Sequence, residues 1–416
     1  MATRDIFDKC VGFTRHLRAK EMGVYPFFRP LVSSEGSRVV IEGSARIMLG
    51  SNNYLGLTHH PRVVQAAKKA IDDFGTGCTG SRMLNGTLEL HEQLEAELAE
   101  FLGKEAVLLW STGFMSNSGS VGTLCTRKDI IFADREDHAS LIDGFILSGA
   151  RLVRFKHNNV ADLERKLIAN EDAQGKLVAI DGVYSMTGEL APVDKVVALA
   201  KKHGARVLVD EAHGIGPVGP GGRGSVALFG VTEDVDLISG TFSKTFASMG
   251  GFLACPQSVK DYLMHHSRQL MYTASFTPSV VATVLECLHI LQEEPELVEQ
   301  VRANASWMRS ELQGMGFNCL DSETAVVPIV IGGVEQMLWF NRRIFEEGIF
   351  ANPVLPPAVP TKACLIRTSY MATHERRDLQ EALDIFERVG NEVGVIGPNK
   401  EAMAEHWAQM AEQAAI

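Results

Sequence analysis

The sequence predicts an α/β protein: a mostly parallel central sheet flanked by helices, followed by a smaller C-terminal α/β domain. Three observations lead there. Between about 88 and 255, helix-like and strand-like pieces alternate, among them "ELHEQLEAELAEFLG", "AVLLW", "DIIFAD", "ADLERKLIAN", "LVAIDGVY" and "VDKVVALAKKHG". That alternation is the pattern of parallel strands joined by helical crossovers. A second, shorter α/β pattern ("AVVPIVIGG", "MLWFNRRIFEEGIFA", "ACLIRTSY") follows a long helical stretch over 279–315 that is interrupted near "EEPE". The length, 416 residues, exceeds one small domain and suits two or three modules.

Taken in order, residues 1–45 read as an N-terminal segment. An amphipathic stretch, "DIFDKCVGFTRHLRAKEMG", precedes "YPFFRPL", where the prolines stop a helix. Residues 46–294 form the expected large domain, opening with a helix in "HHPRVVQAAKKAIDDFG" that ends on a glycine cap. Residues 295–397 form the smaller domain, and 398–416 a C-terminal amphipathic helix with Met403, Trp407 and Met410 on one side. The polar face of that helix carries mostly Glu, with Lys400 basic, so packing on protein is favoured over an anionic lipid surface. At most a peripheral membrane contact is expected.

Composition narrows the function classes. Hydrophobic residues make up 45% and charged residues 22%, ordinary for a soluble globular chain. The net charge of -11 argues against nucleic acid as the main partner. The start, "MATRDIFDKC", has no apolar signal core, and no run approaches the about 18 apolar residues that span a bilayer. Seven scattered cysteines without a CxxC pair point to reduced thiols in a cytoplasmic protein and away from metal ligation.

Two stretches carry candidate chemistry. In "VLVDEAHGIGPVGPGGRG" (207–224) an apolar strand ends on Asp210, with His213 three residues on. A buried acid is costly unless a cation or hydrogen bonds meet it. In "DLISGTFSKTFASMGG" (236–251) a second strand delivers Lys244 among small residues that let a ligand approach the backbone. A loop lysine is ordinarily a surface residue; here the setting also suits a Schiff base with pyridoxal phosphate. Strand ends in open α/β sheets are where ligands sit, and Asp210 there could pair with the pyridinium nitrogen. An Asp in that position could instead be the N-cap of a helix in the following segment. The stretch "AVLLWSTGFMSNSGSVGTL" (106–124) runs a strand through Ser111, Thr112 and Gly113 into a helix start, whose free amides suit a phosphate. His138, in "DREDHAS", is a candidate face partner for the ring.

The order of these pieces resembles the α-oxoamine synthase family, fold-type I pyridoxal-phosphate enzymes, over residues 45–395. The resemblance rests on "SNNYLGLTHHP", "GTGCTGSRMLNGT", "STGFMSN", "DREDHASLIDG", "DGVYSMTGELAP", "VLVDEAHGIGPVGPGGRG", "GTFSKTFASMGG" and "LIRTSYMATH". It implies Lys244 as the Schiff-base lysine, Asp210 at the ring nitrogen, His213 at the phenolic oxygen and His138 stacked on the ring. It implies phosphate contacts from Gly113, Phe114, Thr241 and Ser243, with Ser185 beside the ring. Thr273 would reach the phosphate in the other subunit of a homodimer with shared active sites. Arg367 would hold the amino-acid carboxylate, and Asn53 would lie near the substrate. Departures from the family pattern are Asn52, Asp181 and Phe114.

The implied reaction is a decarboxylative condensation of an amino acid with an acyl thioester carried by coenzyme A or an acyl carrier protein. L-serine and a long acyl chain are the favoured pair. Alanine with a pimeloyl thioester, or glycine with acetyl-CoA, are the alternatives, and a non-catalytic partner subunit is opposed by the presence of Lys244. Met83 and Met371 stand where relatives that take carboxylate-ended acyl groups carry polar residues. Each methylene buried against such apolar fillers gains roughly 0.8 kcal/mol. Plain core packing is the other explanation for both methionines.

Overall fold

The computed structural model describes residues 5–414. Its central sheet has seven strands: β1 (Ala106–Trp110), β2 (Asp129–Asp134), β3 (Arg151–Phe155), β4 (Gly175–Asp181), β5 (Arg206–Asp210), β6 (Leu237–Thr241) and β7 (Gly251–Cys255). The spatial order is β1-β7-β6-β5-β4-β2-β3, and only β7 runs antiparallel to its neighbours. Helices Gly113–Leu124, Ala139–Ser148, Val160–Ile168 and Val193–Lys202 make the crossovers. They cover both faces, so β1 and β7 are buried at every position and read as unbroken apolar runs. Two apolar layers result, one on each side of the sheet.

The parallel register aligns chemistry at one end of the sheet. Asp181 is the pairing partner of Asp210, and Asp210 is in turn the partner of Ser239. The carboxyl ends of β4, β5 and β6 therefore deliver two acids side by side at one edge of a crevice, where open α/β sheets bind ligands.

The C-terminal region forms a three-stranded antiparallel sheet with Cys364–Ser369 in the middle, between Val326–Gly332 and Asn352–Val354. The long helical stretch is two helices, Pro278–Glu293 and Glu296–Gly314, broken at the expected proline. The division drawn at residue 45 needs correction, because strand Ser44–Met48 runs through it. That strand pairs with Arg38–Ile41 and, in parallel, with Ile349–Phe350. The N-terminal hairpin is thus part of the same structure as the C-terminal module, its backbone donors and acceptors satisfied by residues from the far end of the chain.

The terminal helix Lys400–Ala414 lies against the protein. The Trp407 indole N–H donates to the Val393 carbonyl at 2.9 Å, and Met403 packs over Gly394. Among the described residues no helix is long and apolar enough to cross a membrane.

Helices Val334–Glu346 and Arg376–Val393 are locked by stacked Phe340 and Phe386, 6.4 Å between centroids and 5° between planes. Both rings are fully buried. Phe386→Ala should cost about 3–5 kcal/mol through lost burial and a residual cavity. A denaturant midpoint within error of the parent would contradict that packing.

Candidate active site

The crevice beyond β4, β5 and β6 holds a cavity of about 340 Å³ with Asp210, His213, Lys244 and His138 in its wall. Asp210 is buried, and each carboxylate oxygen is met. Oδ1 accepts from the Ala212 amide at 2.8 Å, and Oδ2 accepts from Asn117 Nδ2 at 2.5 Å. Asn117 also donates to Ser140 Oγ at 2.9 Å, which lies 2.8 Å from His138 Nδ1. One hydrogen-bonded series therefore joins Asp210 to the His138 ring. No helix starts directly after Asp210, so it is not a helix N-cap; its bond to the Ala212 amide is a local turn contact that uses one oxygen.

Lys244 follows β6 and is enclosed by neighbouring atoms. Burial pushes its amine down to about 8; Asp210 opposes the shift, while Arg367 adds to it. His213 is pushed well below its ordinary value by burial, then by Lys244 and Arg367, so the ring is neutral. Its Nδ1 lies 2.6 Å from the hydroxyl of buried Tyr54. His138 is likewise lowered, chiefly by burial. Asp181 is raised well above the carboxylate range by burial and by Asp210 beside it.

An anion cradle closes one end. The Thr112 hydroxyl caps helix Gly113–Leu124 by accepting from the Met115 amide at 3.1 Å. The amides of Gly113 and Phe114, in the first turn of that helix, are not taken by the Thr112 cap, and both residues line the same cavity as Thr241 and Ser243. The hydroxyls of Thr241 and Ser243 are 2.9 Å apart. A Cβ on Gly113 would fall 2.7 Å from Thr241 Cβ, so glycine is what keeps the cradle open.

Arg367 comes from the middle strand of the C-terminal sheet and is buried. Its Nε donates to the Ser185 carbonyl, and its Nη1 donates to Asn52 Oδ1 at 2.9 Å and to Ser369 Oγ at 2.8 Å. Its Nη2 is buried with no protein acceptor. A guanidinium held on three sides with one free end is set up for an anionic ligand.

Three expected contacts, of Asn53, Met371 and Met83, are placed elsewhere. Asn53 spends its amide on the turn after it, accepting from the Leu57 amide at 3.0 Å and donating to Thr58 Oγ1 at 2.9 Å. Its neighbour Asn52 is the residue on Arg367. Met371 is buried among Val39, Ile41, Met48 and Phe345 and is a packing residue. Met83 is 48% exposed and borders a different cavity, beside Arg82 and Glu95. Thr273 does not line the Lys244 cavity of its own chain; it borders a small pocket with Ser111 and Trp110. Ser185 contributes its carbonyl to Arg367. Sequence reasoning missed Asn117, Tyr54 and Asn52, although each lies inside a quoted motif.

Comparisons with known proteins agree with this geometry. Residues 45–386 match the family model for aminotransferase class I and II. The chain belongs to that family, in its pyridoxal-phosphate-dependent α-oxoamine synthase branch. Serine palmitoyltransferase of Bacteriovorax stolpii is 45% identical over 368 residues, 88% of each chain. The 8-amino-7-oxononanoate synthase of Geobacter sulfurreducens is 41% identical over 380 residues, 91% of this chain and 97% of that one. Among solved structures, the serine palmitoyltransferase of S. paucimobilis with a bound PLP–myriocin aldimine superposes with a TM-score of 0.91 at 36% identity, covering 94% of this chain and 100% of that one.

The cradle gives a test separate from catalysis. A Cβ on Gly251 would lie 2.4 Å from Gly113 Cα and 2.7 Å from Gly113 N, so backbone must move. Gly251→Ala should weaken binding of pyridoxal phosphate to apo-protein by about tenfold or more, since the helix start would be displaced. Titration of apo-protein by cofactor absorbance reads this, and parent affinity would refute the cradle.

Proposed function

We propose that this chain is an acyltransferase that joins L-serine to a long-chain acyl thioester, palmitoyl-CoA, with loss of carbon dioxide, giving 3-ketodihydrosphingosine for sphingolipid synthesis. The observation that carries the reaction class is Asp210 and Lys244 in the wall of one cavity, with the Arg367 guanidinium near enough to push Lys244 and His213 down. The residues fit pyridoxal phosphate. Amides of Gly113 and Phe114 with hydroxyls of Thr241 and Ser243 would take the phosphate, Asp210 the ring nitrogen, His213 the phenolic oxygen and His138 the ring face. Lys244 would hold the aldehyde carbon. When bound there, the cofactor supplies an electron sink for negative charge at the amino acid's Cα.

The chain's own groups supply the rest. Arg367, fixed by Ser185, Asn52 and Ser369, offers Nη2 to the amino-acid carboxylate and so sets which Cα bonds face Lys244. Lys244 Nζ, lowered to about 8, is neutral in roughly a tenth of molecules at pH 7, far more than an ordinary lysine, and takes the Cα proton. Asp210, its two oxygens oriented by the Asn117 and Ala212 donors, would hold the ring nitrogen of the bound cofactor in its protonated form. Neutral His213, oriented by Tyr54, presents its other ring nitrogen to the cavity. The active unit in this reading is a homodimer, with Thr273 of one subunit reaching the phosphate in the other. A cytoplasmic location accompanies the reading.

The acyl donor is the less constrained half. Met371 lies in the core and Met83 lies away from Lys244, so neither supports a long chain from within one subunit. Similarity to serine palmitoyltransferases over most of the chain supports palmitoyl-CoA. The comparable similarity to 8-amino-7-oxononanoate synthases keeps alanine with a pimeloyl thioester as the second reading. Competition between palmitoyl-CoA and pimeloyl-CoA, each with L-serine and L-alanine and scored by ketone product, decides between them. Preferred use of palmitoyl-CoA with L-serine is expected; preferred use of pimeloyl-CoA with L-alanine would replace the proposal.

Lys244→Ala should lower turnover by at least about a thousandfold, because it removes both the covalent anchor and the base. Circular dichroism and gel filtration should match the parent. Product formation at a substantial fraction of the parent rate would remove Lys244 from the mechanism.

A further inference from the structure

A small hairpin stands between the two sheets, and its support lies outside the cavity. It leaves β4 and returns with Val183 bridged to Leu190, and its base is tied by the Ala191 amide donating to the Gly182 carbonyl at 3.1 Å. Near its tip the Ser185 carbonyl takes the Nε–H of Arg367. The Gly188 carbonyl accepts from the Glu323 amide at 3.2 Å and from Thr324 Oγ1 at 3.1 Å. The return arm is held by two consecutive residues after β3. Asn158 Nδ2 donates to the Leu190 carbonyl at 3.2 Å, and His157 Nε2 lies 3.1 Å from Glu189 Oε2. The other His157 nitrogen lies 2.9 Å from Asp134 Oδ1, at the end of β2. Tyr184 of the hairpin stands edge-on to the imidazole, centroids 4.3 Å apart.

An imidazole between two carboxylates can donate to both only when it carries both protons. We propose that charged His157 is a positioning residue: by bridging Asp134 to Glu189 it fixes the hairpin, and through Ser185 the orientation of Arg367, so that affinity for the amino acid falls when His157 is neutral. This rests on the reading of Arg367 as the carboxylate site. Once His157 loses a proton, one nitrogen becomes an acceptor facing a carboxylate, and that contact turns repulsive. Asp134 is anchored by the Asn158 and Glu136 amides at 2.8 and 2.9 Å, so Glu189, which is partly exposed, is the side that gives way.

The sign follows from the groups that face the ring. Burial opposes the charge on His157, but Asp134 and then Glu189 outweigh it and hold the imidazole above its ordinary value. Tyr184 is pushed well above the phenol range by burial, then by Asp137, Asp134 and Asp181, so it stays neutral. Asp137 is itself raised by burial and by Asp181. The bridge is therefore complete at and below about pH 6.5 and is lost as pH rises through the raised value.

The test is the affinity of holoenzyme for L-serine and for L-alanine, followed by cofactor absorbance from about pH 6 to pH 9. The parent, His157→Gln, Glu189→Gln and Arg367→Ala are compared. The substrate amine and Lys244 titrate in this range in every protein, so differences between proteins carry the result. His157→Gln should bind the amino acid about tenfold more weakly at the acid end and lose one step of the pH dependence. Its kcat at saturating amino acid and its cofactor affinity should stay within about twofold. Glu189→Gln, a partly exposed and nearly isosteric change, should move the step to lower pH by weakening the charge on His157. Parent affinity and parent pH dependence in His157→Gln, or an unmoved step in Glu189→Gln, would overturn the proposal. If Arg367→Ala binds amino acid as the parent does, the carboxylate site itself is wrong and the positioning role falls with it. If Arg367→Ala loses affinity and the other two variants do not change, the positioning role alone falls.

Discussion

A buried carboxylate whose two oxygens are both met by donors is the constraint on which the rest of the site depends. Asp210 ends a buried strand with a second acid, Asp181, as its register partner. Two adjacent buried carboxyls do not both ionise readily, and burial together with Asp210 pushes Asp181 well above the carboxylate range. Asp210 has one oxygen on Asn117 Nδ2 and the other on the Ala212 amide. The same Asn117 fixes Ser140 and, through it, His138. Replacing Asp210 would therefore disturb the His138 side chain as well.

The second half of the site is assembled by distant chain segments. Arg367 reaches the crevice because its strand is the middle one of three, paired on both sides. Asn52 reaches Arg367 because the preceding residue pairs run alongside: the Ser369 amide donates to the Leu49 carbonyl at 2.7 Å, and the Leu49 amide donates to Phe350 at 2.8 Å. The lowered Lys244 and the strongly lowered His213 both register the Arg367 charge, so the two halves are coupled electrostatically as well as by backbone pairing.

Legibility in the sequence followed the range of the interactions. The parallel sheet could be read because its strands and crossovers repeat locally. Asp210, Lys244 and the Gly113 turn could be read because each sits at a strand end, a position that local pattern defines. Adjacent asparagines could not be told apart that way. Whether Asn52 or Asn53 faces Arg367 is decided by the short turn at Leu57, which captures the Asn53 amide. Met371 misled for a related reason: an apolar residue three positions after Ser369's neighbour Thr368 faces the core or a channel depending on a turn, and here its own amide donates to His374 Nδ1 at 2.9 Å, turning the side chain into the core. Tyr54 gave no polar signal at all, since its hydroxyl finds His213 only when two distant segments meet.

The pairing of the N-terminal hairpin with Ile349–Phe350 also orders the chain's own maturation. Asn352 donates to the Gly50 carbonyl across a separation of 302 residues at 2.6 Å. During synthesis the large sheet can close long before that acceptor meets its donor, whereas Ser44–Met48 must wait for nearly the whole polypeptide. The strands around Asp210 and Lys244 can therefore pair before the arginine side of the crevice, which needs segments near residue 50 and beyond residue 349 together.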